Sequence, residues 1–195
     1  GEEEEVDDFK RRLTWETSLS AKTKIYGLFP ITIGRLNAIR HVITPGVSFN
    51  YRPDFSNPKF GGDLYFQNND SEDRFDYFKG SYVGSTSQTE KKTYRFTVNN
   101  VFQSKIRKEG SSYEKINFLT WFTAIDYNTV KESFKLSELR SSIRVKNPSG
   151  GDLFKIGMNH NFYKLDSDKT PIDELLLPWK GENPRLTRMD ITTSM

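Results

Sequence analysis

The chain has 195 residues, no cysteine and a formal net charge of +3. Thiolate metal sites and disulfides are thereby excluded within it, and the charge is too weak to argue for nucleic acid. No apolar run approaches the ~20 residues of a membrane helix, but low mean hydropathy leaves membrane-crossing strands open, since only alternate residues of such strands face lipid.

Residues 1–11 are dominated by an acidic run and read as a solvated loop or linker, with 12–195 as one β-structure. The first predicted strand covers about 12–27. Leu13, Trp15, Thr17, Leu19, Ala21, Thr23 and Ile25 alternate with Thr14, Glu16, Ser18, Ser20, Lys22 and Lys24. A period of 2 held this long extends about 40 Å, more than a soluble strand uses and enough to cross a bilayer at a tilt. Residues 28–38 form a connection. The second strand, about 39–52, sets Ile39, His41, Ile43, Pro45, Val47, Phe49 and Tyr51 against Arg40, Thr44, Ser48, Asn50 and Arg52. Pro45 has no N–H to give to a ladder and marks a weak or locally broken pairing.

Residues 53–91 read as a long connection rich in Pro, Gly, Asn, Asp and Ser. The third strand, about 92–108, places Tyr94, Phe96, Val98, Phe102 and Ile106 opposite Thr93, Arg95, Thr97, Asn99, Gln103 and Lys105. Glu109-Gly110-Ser111-Ser112 is a turn. The fourth strand, about 114–128, is apolar on both phases, so its facing stays open. The fifth, about 133–146, alternates Leu139, Ser141, Ile143 and Val145 with Glu138, Arg140, Ser142 and Arg144. Asn147-Pro148-Ser149-Gly150-Gly151 is a second turn. The sixth strand, about 152–164, sets Phe154, Ile156, Met158, His160 and Phe162 against Lys155, Gly157, Asn159 and Asn161. A second long loop follows, and a seventh strand starts near Arg185.

The expected fold is therefore all-β: an antiparallel meander of about seven strands, a segment of a transmembrane β-barrel that does not close on its own. Antiparallel order puts the acidic run and both long loops at one end and the tight turns at the other, an asymmetry of outer-membrane barrels. The polar phases are rich in bases. Lys22, Lys24, Arg40, Arg95, Arg140, Arg144 and Lys155 are the candidate substrate-path residues of a cationic lumen, with Arg52, Lys105 and Lys146 nearer the strand ends. Such a wall attracts anionic, polar cargo.

Other chemistry finds little support. His41 and His160 fall on the apolar phase without metal-ligand spacing, so no metal site and no cofactor is expected. Asp166-Ser167-Asp168 and Asn69-Asp70-Ser71-Glu72-Asp73 lack the full EF-hand pattern. No Gly-x-Ser-x-Gly elbow or positioned Ser–His pair is visible, so no catalytic residue is named and the chain does not read as an enzyme.

Two stretches carry a family resemblance. Ala21-Lys22-Thr23-Lys24-Ile25-Tyr26-Gly27-Leu28-Phe29-Pro30 continues through Arg40-His41-Val42-Ile43-Thr44-Pro45 to Ser48-Phe49-Asn50-Tyr51-Arg52-Pro53. Thr93–Lys108, with Gly181-Glu182-Asn183-Pro184-Arg185-Leu186-Thr187-Arg188, is the second. Together they resemble the C-terminal barrel region of the outer-membrane lipopolysaccharide-assembly family (LptD, or organic solvent tolerance protein), in a Bacteroidota-like variant. The resemblance implies bacterial outer-membrane localisation and a barrel that passes lipopolysaccharide to the outer leaflet. It implies three partners: lipopolysaccharide, a plug lipoprotein and a periplasmic lipopolysaccharide-bridge protein acting through an N-terminal domain. The chain is then expected to be a piece of a longer protein. The alternatives are a surface β-sheet binding module without transport, and a generic porin or nutrient-uptake barrel. Exposure separates the first alternative from a membrane wall: Leu19, Val47, Phe96 and Ile143 point outward in a barrel and inward in a soluble core.

Overall fold

The computed structural model describes residues 10–31, 33–34, 36–67, 75–107, 113–147 and 151–193. Alternation becomes strand along most of the chain. In order, the elements are β1 (Thr17–Lys22), β2 (Ile25–Phe29), β3 (Leu36–Arg52), a 3-10 turn (Pro58–Phe60), α1 (Gly62–Tyr65), β4 (Phe66–Gln67) and β5 (Phe75–Asp76). There follow β6 (Lys91–Arg107), β7 (Tyr113–Asn128), β8 (Leu139–Lys146), β9 (Asp152–Asn161), β10 (Tyr163–Leu165), β11 (Pro171–Leu175), a second 3-10 turn (Pro178–Lys180) and β12 (Arg185–Thr193).

The main sheet has the order β1-β3-β6-β7-β8-β9-β12, with β2 also paired to β3. It is one antiparallel meander that does not close on itself, as the sequence led us to expect. The tips of two turns, at 109–112 and 148–150, and most of the acidic run lie outside the described residues.

The first predicted strand is divided. Its ladder starts only at Thr17, and β1 and β2 are separated by Thr23 and Lys24. Opposite this gap stands Pro45: the Thr23 N–H donates to the Pro45 carbonyl at 3.2 Å, and Pro45 has no N–H to return the bond. β3 itself runs unbroken through Pro45.

The predicted fifth strand begins six residues late, at Leu139 instead of 133. Phe134 adopts φ +51°, which no strand accommodates, and its N–H donates to Asp173 Oδ1 at 2.8 Å. The predicted sixth strand leaves the sheet at Asn161, whose Oδ1 accepts the Tyr163 N–H at 2.8 Å. The chain then pairs with β11 instead, Tyr163 opposite Leu175 and Leu165 opposite Pro171.

The chain divides into two compact units, one of residues 1–19 and 49–93, the other of residues 20–48 and 94–195. The first holds a small aromatic core. Phe55, Tyr65 and Phe66 are buried with Phe60 and Phe78 against them. Trp15 meets Tyr51, Phe55 and Phe60 edge-on, and the Tyr65 hydroxyl bonds both the N–H and the carbonyl of Leu13. Asp76 is buried but satisfied, accepting from Thr86 N, Thr86 Oγ1 and Phe78 N. Arg12 donates to the Gly84 and Val83 carbonyls and to Thr86 Oγ1. Glu16 accepts from Lys91 Nζ at 2.8 Å, and that hydrogen bond holds its carboxyl below the usual glutamate range. The stretch read as a long connection therefore folds with the segment that precedes β1.

Candidate functional site

The second unit carries the candidate site, one face of the sheet. Residues directly opposite in a ladder point to the same side, so register assigns faces. Three rows run from β7 through β8 and β9 to β12 on one face: Thr120, Arg144, Lys155, Thr192; Phe122, Ser142, Gly157, Asp190; and Ala124, Arg140, Asn159, Arg188. Between them, on the opposite face, run Trp121, Ile143, Ile156, Ile191, and beside these Leu119, Val145, Phe154, Thr193. One face is mostly polar and charged; the other is mostly aliphatic and aromatic, with Thr123 and Ser141 sharing a row there with Met158 and Met189.

The apolar face is not a core. Among the described residues of this unit only Ala38, Ala124 and Tyr163 are buried hydrophobics. Val47, Phe96, Trp121, Met189 and Ile191 are exposed, Ile191 at 61%, and so is Leu19. Ile143 is half-buried between its row neighbours. His41 lies on this apolar phase, stacked at 4.1 Å on Phe102 with its Nε2 3.0 Å from Asn100 Oδ1. His160 sits between Leu139 and Leu186 in the ladders.

The polar face holds a groove of about 540 Å³. Its floor is hydroxyl and amide: Thr44, Thr97, Asn99, Thr120 and Ser142. Lys22, Arg144 and Lys146 supply positive charge, and Phe122 is its one aromatic ring. Gly46 sits beside it for a steric reason: a Cβ there would stand 2.8 Å from Thr97 Oγ1 and 3.0 Å from Lys22 Cγ, so glycine lets the Lys22 stem lie close over the backbone.

The structure distributes the seven sequence-predicted bases unevenly. Lys22 and Arg144 line the groove, and Lys155 stands directly across the ladder from Arg144. Arg95 and Arg140 converge instead on one carboxylate. Arg140 Nη2 donates to Asp126 Oδ2 at 2.7 Å, and Arg95 Nε lies 3.5 Å from Asp126 Oδ1. Arg40 is drawn toward Tyr26, its guanidinium 4.6 Å over the ring. Lys24 is exposed in the gap between β1 and β2. Arg144 also faces Asp152 at 3.5 Å, whereas Lys22, Lys146 and Lys155 have no ion-pair partner among the described residues.

Sequence reasoning placed Glu138 on this polar phase but missed Asp126. Asp126 braces three neighbouring strands, and Glu138 accepts from Asn159 Nδ2 and Thr187 Oγ1. The signal for Asp126 was its even spacing from Thr120, hidden because the fourth strand is apolar on both phases. Asp166 Oδ1 accepts the N–H groups of Asp168 and Thr170, which makes it a turn former. The other acidic loop cluster, at 69–73, lies outside the described residues.

No curated protein and no solved structure matches the chain. A family model described as LptD protein matches residues 1–163. By that match over most of its length, the chain belongs to the LptD protein family, a transport family related to lipopolysaccharide.

Proposed function

We propose that this chain forms part of an outer-membrane β-barrel translocon that delivers lipopolysaccharide to the outer leaflet of the bacterial cell surface. The observation that carries the reading is the row-by-row segregation of faces. The row of Trp121, Ile143, Ile156 and Ile191, exposed at Trp121 and Ile191, meets hydrocarbon, and the groove side faces water and cargo. Lys22, Lys24, Arg40, Arg95, Arg140, Arg144 and Lys155 form the hydrated path. The phosphates and sugars of an amphiphile travel along these cations and the hydroxyls between them. The energy for transport comes from a periplasmic lipopolysaccharide bridge, and a plug lipoprotein occupies the barrel.

Crosslinking tests the path. A photoreactive residue in place of Arg95 or Arg140, in the full-length protein in cells, is expected to capture lipopolysaccharide. The same probe in place of Ile143 is expected to capture bulk membrane lipid. Absence of lipopolysaccharide adducts at both arginine positions, in protein that has inserted normally, overturns the reading.

A further inference from the structure

Phe122 is out of place on a wall of hydroxyls and charges. It is 38% exposed on the groove side; Ser142 stands across from it on β8, and Gly157 comes next along the row on β9. Neither is large enough to cover an aromatic ring. Gly157 is followed in the row by Asp190, whose carboxylate oxygens lie 2.6 and 2.7 Å from where a Gly157 Cβ would be. The acid thus lies close over the Gly157 backbone.

Adjacent rows on one face lie about 6.7 Å apart along a strand. On one side of the Phe122 row stand Arg144 and Lys155, with Lys22 and Lys146 also at the groove. On the other side stands Arg140, already engaged by Asp126. The result is a part-exposed apolar ring flanked by cations and by hydroxyl, amide and carboxylate groups. Pockets that hold a small ligand in one orientation combine an apolar surface with a few placed polar groups. A ring with one C–H-rich face, hydroxyls at its rim and an anionic substituent matches this combination.

We infer that Phe122 is a stacking shelf for a sugar ring and that Lys22, Arg144 and Lys146 hold an anionic group on the same sugar, which makes the groove a specific glycosyl-phosphate subsite. This rests on the proposed transport of a phosphorylated glycolipid and deepens it, because a wall that merely solvates cargo needs no exposed aromatic ring. The C–H face of the sugar lies on the Phe122 ring. Its hydroxyls reach Ser142, Thr120 and Asn99, and its phosphate reaches the cations.

The test uses the full-length protein in detergent micelles and three soluble probes: N-acetylglucosamine 1-phosphate, N-acetylglucosamine and inorganic phosphate. Calorimetric titration should rank the glycosyl phosphate above both others. Phe122→Ala should weaken glycosyl-phosphate binding about tenfold while leaving inorganic phosphate unchanged, and Phe122→Trp should restore it. Lys22→Gln combined with Arg144→Gln should weaken both phosphate-bearing probes. Retained heat-modifiable electrophoretic mobility shows that each variant is folded. Equal binding of inorganic phosphate and glycosyl phosphate, or an unaffected Phe122→Ala variant, overturns the shelf. If lipopolysaccharide is captured at Arg95 or Arg140 while Phe122→Ala binds normally, the shelf falls and transport stands. If glycosyl-phosphate binding depends on Phe122 and no lipopolysaccharide is captured, the shelf stands and transport falls.

Discussion

Asp126 shows how a single residue changes the meaning of a pattern. Read along the strands, the polar phases carry a string of bases with few acids. In three dimensions Asp126 neutralises part of two of them, Arg140 at 2.7 Å and Arg95 at 3.5 Å, and ties β6, β7 and β8 together. Both arginines remain substantially exposed, so solvent screening keeps the brace modest. Asp126→Asn is expected to lower stability by about 1 kcal/mol, with Arg140→Gln costing less because Arg95 keeps the carboxylate paired. Urea unfolding of the reconstituted protein measures both, and an unshifted midpoint for Asp126→Asn would show that the brace contributes nothing. The sequence displayed Arg95 and Arg140 because alternation is local. It concealed Asp126 because Phe118, Phe122, Leu119 and Trp121 make both phases of that strand apolar.

At the scale of elements, alternation alone placed β6 and β7 to within a residue of their observed ends. It failed where a distant contact decides. The late start of β8 depends on Phe134, which is held by Asp173 from a segment 39 residues away. The core of Phe55, Tyr65 and Phe66 is built from a stretch with little periodicity, and local rules assign such stretches to loops. Pro45 is an intermediate case. Its missing N–H is legible in the sequence, but the interruption falls on the neighbouring strand, between β1 and β2. Pro45→Ala supplies the absent donor and should join β1 and β2 into one ladder. Backbone amide exchange at Thr23 and its neighbours is then expected to slow. Unchanged exchange there would mean that something other than the proline separates the two strands.

For the whole molecule, the assignment of the two faces can be tested by a pair of neighbours on β8. Ile143 lies in the apolar row and Ser142 in the groove row. Ile143→Arg should cost about 2–4 kcal/mol of folding into a bilayer if it sits near the midplane, whereas Ser142→Arg should insert almost normally. Folding yield into phospholipid vesicles reads the difference, and equal impairment of both variants would contradict the assignment of faces. The main-sheet meander was legible because its long strands alternate locally and each pairs with the next long strand along the chain.

The buried trio of Phe55, Tyr65 and Phe66 has a further consequence for how this chain meets different solvents. The sheet leaves many of its greasy side chains exposed, and on the proposed membrane reading a bilayer shelters them. The unit built around the trio carries its own oil drop, with Asp76 and Arg12 closing its polar accounts internally. Water is therefore a poor home for the wall and an adequate one for that unit. Stripped of lipid, the protein should come apart unevenly, with the wall losing its order first and the aromatic knot outlasting it.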